Sequence, residues 1–194
     1  MLHKKGDMGG YTAQKALEEP IGKTWKYSSG TTNLVCLLLR HTFQRDDDYF
    51  RYPRQALFNK TGMRSAVMEL DASGTFAGSS YLYATMRDYA RFGLLFLNRG
   101  NWLGEQILPE EWIDYTVAPA PGSDGKYGAF FWLNLSAGQP APIDTYMCKG
   151  HDGQSISIVP SRQLIVVRTG FSKYGEFDGE LMLKEILECV ESSK

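Results

Sequence analysis

Two short stretches of the sequence contain side chains that could transfer a proton or bind an oxyanion. The first is Tyr27-Ser28-Ser29, which lies just before the apolar run LVCLLL. The second is KGHDGQ, residues 149–154, in which glycines lie on both sides of His151. The two stretches are far apart in sequence, so only the fold could bring them together.

Tyr27 is the residue of the first stretch that could exchange a proton. A phenol has a pKa of about 10, so it acts as a general base only beside a cation that stabilises the phenolate. A half-buried tyrosine next to a helix cap is the alternative interpretation. The neighbouring serines favour a helix start, because their hydroxyls can accept hydrogen bonds from unpaired backbone N–H groups.

The second stretch also has two interpretations. Gly153 has no side chain, so another backbone or a substrate could approach it closely. The N–H of Gln154 could then donate to a developing oxyanion, and His151 could supply a polar or cationic group. The alternative is a glycine-containing hairpin turn with a surface histidine.

The elements that must position these stretches change character along the chain. Up to about residue 118 the pattern is mostly helical, with helices predicted over 31–43, 53–59 and 85–99 and another opened by Pro109. From residue 119 the hydrophobic period is two, which predicts strands within 127–135, 144–150, 154–160 and 163–170. An apolar stripe predicts a final helix over 179–191. The prediction is an α+β fold: one domain over 1–194, with a mostly helical lobe over 1–118 and an antiparallel sheet plus C-terminal helix over 119–194.

Length and composition exclude several classes of protein. The chain has 194 residues, 43% hydrophobic and 13% aromatic, which is enough for one domain with a real core. A net charge of −1 with scattered Lys and Arg gives no electrostatic case for nucleic acid or an anionic membrane. No apolar segment reaches membrane-spanning length. The N-terminus MLHKKGDMGG has no signal-peptide apolar stretch and, taken alone, predicts a cytoplasmic protein.

Potential metal ligands are scattered, and no metal or organic cofactor is expected. The three cysteines, Cys36, Cys148 and Cys189, are too widely spaced for a disulfide scaffold or a zinc ribbon. Cys36 and Cys189 fall in apolar helical patterns and are predicted to be small core residues. The three histidines have no ligand spacing, and the run RDDD at 45–48 is predicted to be a solvated connection.

Together, a Tyr-Ser-Ser before a helix and a late His-x-Gly resemble the penicillin-recognising serine hydrolases. The closer likeness is to the class C β-lactamase-like esterases and amidases, including 6-aminohexanoate-dimer hydrolases. Residues 74–112, GTFAGSSYLYATMRDYARFGLLFLNRGNWLGEQILPEEW, are similar to the helix-and-loop signature of that family. The resemblance covers about residues 10–190 and implies a partial β-lactamase/transpeptidase-like fold.

The resemblance also implies roles for individual residues. Tyr27 matches the proton-transfer residue of the Tyr-x-Ser motif, with Ser29 in its third position. His151 and Gly153 match the His-x-Gly form of the third motif, and the N–H of Gln154 would be half of the oxyanion hole. The resemblance also implies that Tyr81 and Ser79 line the pocket.

The family's first motif, Ser-x-x-Lys, has no counterpart ahead of Tyr27. The one match in the chain is SDGK at 123–126, which follows Tyr27 and lies in a turn sequence. The nucleophile is therefore expected to be missing, with Met1 an internal methionine used as a start. A truncated gene, an engineered fragment and a natural short product would each give this sequence. Such a chain is expected to have negligible hydrolase turnover alone, and open sheet edges would favour a homodimer or strand swap.

Three functions remain open at this stage. The leading one is acyl transfer on a small ester, amide or β-lactam ligand; a histidine in place of lysine favours esters and short amides, because lysine usually pairs with the carboxylate of a β-lactam. The second is a non-catalytic module that binds a ligand or partner, and the third is a D-Ala-D-Ala peptidase in the full-length protein. Family members are often exported, so localisation also stays open.

Overall fold

The computed structural model describes residues 5–135, 140–173 and 176–192. Contacts within the chain divide it into two compact units, Met1–Asp88 and Tyr89–Lys194. Helices and strands are both present, in agreement with the predicted α+β class. The division into a lobe over 1–118 and a lobe over 119–194 within one domain stays a prediction. None of the described helices is both long and apolar enough to cross a bilayer.

The first unit is mostly helical. Its helices are α1 (Met8–Ala13), α2 (Ser29–His41), α3 (Asp46–Pro53) and α4 (Asn59–Thr61), with a π-helical segment (Arg54–Phe58) between α3 and α4. Its strands are β1 (Val67–Met68) and β2 (Leu82–Tyr83), which pair antiparallel. Helix α5 (Met86–Leu97) begins in this unit and continues into the second.

The start of α2 is capped by Ser28, one of the predicted cap candidates, and the helix begins at Ser29 rather than at residue 31. Ser28 has extended backbone angles, and its Oγ accepts a hydrogen bond from the N–H of Thr31 at 3.3 Å. The prediction of a plain connection over 45–48 is wrong, because Asp46, Asp47 and Asp48 form the first turn of α3. Carboxylates are favourable there, since the N-terminus of a helix carries a partial positive charge.

Polar side chains satisfy part of the backbone of the long connection between α4 and α5. The hydroxyl of Tyr49, which is fully buried, accepts a hydrogen bond from the N–H of Phe76 at 2.9 Å and donates to the carbonyl of Cys36 at 3.4 Å. The carboxylate of Asp71 accepts from the N–H groups of Met8 at 2.9 Å and Thr75 at 3.1 Å. These contacts fix loop backbone that has few strand partners of its own.

The second unit contains a four-stranded antiparallel sheet with the order β5-β6-β7-β8. Its elements are β3 (Asn101–Trp102), β4 (Glu105–Gln106), α6 (Glu110–Val117), β5 (Trp132–Leu133), β6 (Tyr146–Lys149), β7 (Ser155–Val159), β8 (Leu164–Arg168) and α7 (Gly179–Ser192). A turn over Pro160–Arg162 joins β7 to β8, which confirms the predicted hairpin. Strand β8 is at one end of the sheet order, and its pairing with a second chain stays a prediction.

Both faces of this sheet carry apolar clusters, because side chains alternate along each strand. On one face Ile158 packs with Phe96, Phe131 and Tyr146. On the other, Val159 packs with two buried leucines of α7, Leu183 and Leu187. The alternation predicted from the sequence is therefore what places α5 and α7 on opposite faces.

Two predictions about this unit need correction. The strand pattern over 127–135 yields only the short β5, because Phe130 adopts a left-handed φ of 69° and Tyr127 bridges back to Trp132. Cys189 is exposed and is not a core residue. It follows the buried Leu187 by two positions, about 200° around the helix axis, so it lies away from the buried stripe of α7.

Candidate functional site

The first candidate stretch lies at the N-terminus of α2. Tyr27 comes directly before the cap residue Ser28 and is 55% exposed, and Ser29 is the first residue of the helix. The partial positive charge of a helix N-terminus favours a negative group placed near it. The local geometry is that of an exposed tyrosine next to a helix cap.

Tyr81 and Ser79 lie in the same unit, in the segment that leads into β2. Tyr81 has a left-handed φ of 64°, which is uncommon for a residue with a side chain, and its carbonyl accepts from the N–H of Glu69 at 3.1 Å. The N–H of Ser79 donates to Oδ1 of Asn33, a buried residue of α2, at 3.3 Å. This bond ties the segment to the helix that Tyr27 precedes.

The second candidate stretch forms the turn of the β6–β7 hairpin. The N–H of Gly150 donates to the carbonyl of Gln154 at 2.8 Å and closes the turn. Within it, the N–H of Gln154 points to the carbonyl of His151 at a long 3.4 Å. The imidazole of His151 is 91% exposed and lies 3.3 Å from Oδ1 of Asp152. A hairpin turn with a surface histidine was one of the two sequence interpretations, and it describes the local geometry.

A cavity of about 860 Å³ opens beside this turn, within the second unit. Its size is in the range of cavities that hold small-molecule ligands. Three of the predicted site residues, His151, Gly153 and Gln154, line it. The remaining lining includes aromatic, aliphatic and polar side chains, among them Trp132, Asn134, Met147, Lys149, Ser157 and Phe177.

Several of these lining residues share one face of the sheet. Trp132 pairs with Met147 and Lys149 pairs with Ser155, so their side chains project on the same side. The ammonium of Lys149 lies 5.8 Å from the centre of the Trp132 ring. Sequence reasoning missed Trp132 and Phe177 as cavity residues. The period-two pattern could have indicated Trp132, whereas nothing local marks Phe177.

Cys148 directly precedes the cavity residue Lys149 in β6, but its side chain packs with the apolar cluster on the other face of the sheet. Burial raises the pKa of the Cys148 thiol to about 12, so it stays protonated and poorly nucleophilic at neutral pH. Among the residues that the structure describes, no group of His, Cys, Asp and Glu is arranged to hold a metal ion.

The one Ser-x-x-Lys of the sequence does not form a helical nucleophile motif. Ser123 is 2% exposed and its Oγ donates to the carbonyl of Tyr127 at 3.0 Å. Asp124 and Gly125 have left-handed φ values of 53° and 74°, so the segment is a turn, as its sequence predicts. Ser123 and Lys126 therefore lack the arrangement of two side chains one helical turn apart.

A family model described as Beta-lactamase matches residues 2–188 of the chain. The chain belongs to the Beta-lactamase family. This family assignment, expected from the Tyr-Ser-Ser and His-x-Gly stretches, is confirmed. Among curated protein sequences, none matches the chain.

Solved structures similar to this Beta-lactamase-family chain share its fold at low sequence identity. A protein described as a 6-aminohexanoate-dimer hydrolase, from Bacillus anthracis, matches 95% of the chain with a TM-score of 0.72 and 21% identity. A protein described as a beta-lactamase from Bacteroides dorei matches 97% of the chain (TM-score 0.69, 16% identity). A beta-lactamase from Mycobacterium bovis matches 90% (TM-score 0.69, 17% identity). The chain spans 47%, 65% and 67% of these three proteins, respectively.

The structure thus brings together one half of the predicted site. His151, Gly153 and Gln154 line a single cavity of the second unit. Tyr27, Ser29 and Tyr81 all belong to the first unit. The catalytic and binding roles of all six residues stay predictions.

Proposed function

We propose that this chain carries the carbonyl-binding part of a serine hydrolase that acts on small esters or short amides. The observation that supports this most is the cavity of about 860 Å³ lined by His151, Gly153 and Gln154. Its lining combines polar groups with the Trp132 ring, which suits a small ligand that has a carbonyl beside an apolar group.

In this proposal the N–H of Gln154 donates to the oxygen of the ligand carbonyl. Its present bond to the His151 carbonyl is long, 3.4 Å, so a closer oxyanion would be a better acceptor. The exposed imidazole of His151 supplies a second polar group at the same carbonyl. Tyr27 is the proton-transfer residue in this proposal, and Ser29 and Tyr81 are substrate-binding residues, as the resemblance implies.

Esters and short amides are favoured over β-lactams for two reasons. His151 occupies the motif position where a lysine would pair with the carboxylate of a β-lactam. A protein with the same fold is described as a 6-aminohexanoate-dimer hydrolase, which supports a short amide.

We also propose that this polypeptide alone has negligible turnover. Acyl transfer needs an activated nucleophile with its base in hydrogen-bond reach. The Ser123 hydroxyl is buried and bonded to a backbone carbonyl, and it lies in a turn. The same observation favours a second candidate function, a module that binds a carbonyl ligand without hydrolysing it.

Two measurements test the proposal. For binding, ¹⁵N-labelled chain is titrated with acetanilide, and the amide signals of Gly153 and Gln154 are expected to shift. N-ethylaniline, which keeps the ring but lacks the carbonyl, is expected to leave the Gln154 signal in place. Equal responses to the two compounds would contradict carbonyl binding at this turn.

For turnover, hydrolysis of p-nitrophenyl acetate and nitrocefin by the pure chain is expected to match the buffer rate. A burst of product that disappears in Tyr27→Phe, but persists in Tyr115→Phe, would contradict the predicted inactivity. Tyr115 is a suitable control because it is similarly exposed, 61% against 55%.

A further inference from the structure

Arg168, the last residue of β8, extends across the hairpin that carries His151. Its Nη1 donates to the carbonyl of Gly153 at 2.6 Å and, at a longer 3.5 Å, to the carbonyl of Asp152. Its Nη2 donates to Oγ of Ser172 at 2.7 Å. The guanidinium carbon is 3.6 Å from the centre of the Phe177 ring. One side chain therefore links the turn to the segment that follows β8.

Two glycines make the space that the guanidinium occupies. A Cβ on Gly153 would lie 2.7 Å from Nη1, and a Cβ on Gly170 would lie 3.2 Å from the same group. Gly153 also has a left-handed φ of 78°. The open space expected at Gly153 for a substrate or backbone is thus filled, in the direction of its missing Cβ, by Arg168.

The bond to the Gly153 carbonyl has a consequence for the next residue. The chain contains no cis peptide bond among its described residues. In a trans peptide the C=O of one residue and the N–H of the next point in opposite directions. Holding the Gly153 carbonyl therefore fixes the direction of the Gln154 N–H, at a position where glycine would otherwise allow the peptide to rotate.

We propose that Arg168 is a positioning residue that holds the 151–154 turn in one conformation and so orients the Gln154 N–H at the cavity. Donation by that N–H to a ligand carbonyl rests on the proposed function, whereas the role of Arg168 in the turn conformation does not. Arginine suits the position better than lysine, because its planar fork can donate to two acceptors while it stacks on an aromatic ring.

The test is amide hydrogen exchange, measured by NMR on the full 194-residue chain and on Arg168→Met. Exchange at Gly150, whose N–H closes the turn, is expected to accelerate at least about tenfold, equivalent to about 1.4 kcal/mol. Exchange at Ile158, in the centre of β7, is expected to stay within about threefold of the parent. The Gln154 amide signal is expected to move as its peptide plane reorients.

Two further variants separate this role from simple loss of charge or of stability. Arg162→Met, which removes a cation from the other end of β8, is expected to leave Gly150 exchange unchanged. In Arg168→Lys, amide exchange at Gly150 is expected to be at least about threefold faster than in the parent. This variant replaces Arg168→Met in the experiment if Arg168→Met does not fold. Unchanged exchange at Gly150, equal acceleration at Gly150 and Ile158, or full recovery with lysine would each overturn the proposal. These exchange measurements use no ligand. They therefore test the role of Arg168 whether or not acetanilide binds.

Discussion

Each of the two units buries a tyrosine, and the two phenols have different surroundings. Tyr49 of the first unit bonds through its hydroxyl to a backbone N–H and a backbone carbonyl. Tyr146 of the second unit packs edge-on against Phe131, and its hydroxyl has no hydrogen bond to any described residue. Both rings pack against aromatic side chains, so the two tyrosines differ in the partners of their hydroxyls.

The difference follows from how each unit satisfies its backbone. In the sheet of the second unit, strand pairing satisfies the N–H and C=O groups, so side chains can form purely apolar clusters. In the first unit the long connection after α4 has only two residue pairs in a ladder, so Tyr49 and Asp71 supply its missing partners. The connection after α4 thus takes from polar side chains some of the hydrogen bonds that a strand takes from its neighbour.

The largest expected effect is in the apolar cluster. Ile158 is fully buried, so Ile158→Ala loses transfer free energy and leaves a cavity, lowering the free energy of unfolding by about 4 kcal/mol. Urea unfolding measures this change in the free energy of unfolding. The control is Ile143→Ala, because Ile143 belongs to the same unit and is 65% exposed. A loss below about 1 kcal/mol would mean that the sheet does not depend on this cluster.

Asp71→Asn is expected to lower the free energy of unfolding by a smaller amount, about 3 kcal/mol. The amide would put an NH₂ among donors and remove charge-assisted hydrogen bonds. Exchange at Thr75 and Ala77 is expected to accelerate while Ile158 stays unchanged. Asp47→Asn, at an exposed position of α3, is the control.

Protonation of the Asp71 carboxylate at low pH should lower the stability in the same way as Asp71→Asn. Burial raises the pKa of Asp71, but the hydrogen bonds from Ser73, Met8 and Thr75 outweigh burial, and the pKa lies below its ordinary value. A depressed pKa gives stability that is present above the unfolded-state pKa, about 3.9, and is lost as pH falls through the lower folded-state value. The advantage of the parent over Asp71→Asn should therefore shrink below about pH 4. A constant difference between pH 7 and pH 2 would contradict this assignment.

The smallest effect sharpens the comparison of the two tyrosines. Tyr49→Phe leaves the buried N–H of Phe76 without its acceptor and is expected to cost about 2 kcal/mol. Tyr146→Phe removes a hydroxyl that bonds to no described residue and is expected to change stability by less than about 0.5 kcal/mol. Urea unfolding of both variants measures the two changes in the free energy of unfolding. Equal losses would contradict the different roles of the two hydroxyls.

The regular elements were the part of the fold that the sequence predicted best. Period two located β6, β7 and β8, and the serines marked the start of α2 to within two residues, because these signals act within a few residues. The start of α3 was missed because Arg45 offers no capping side chain. The shortening of β5 depends on the left-handed Phe130, a conformation that bulky residues seldom signal.

The site was predictable only in part. His151, Gly153 and Gln154 are adjacent in sequence, so their joint placement at one turn needed only the two strands around them. Arg168 contacts Gly153 from fifteen positions away, through the register of β7 on β8. No local pattern encodes such a register, so the arginine was absent from the predicted site.

Gly93 of α5 sets how closely that helix approaches the sheet. A Cβ there would lie 2.9 Å from a methyl group of Ile165 and 3.2 Å from one of Ile156. Positions 93, 156 and 165 are therefore expected to change together among related sequences. A relative that gained alanine at the first should carry a smaller side chain at one of the other two, so co-substitution among these positions would reveal the helix–sheet spacing from sequences alone.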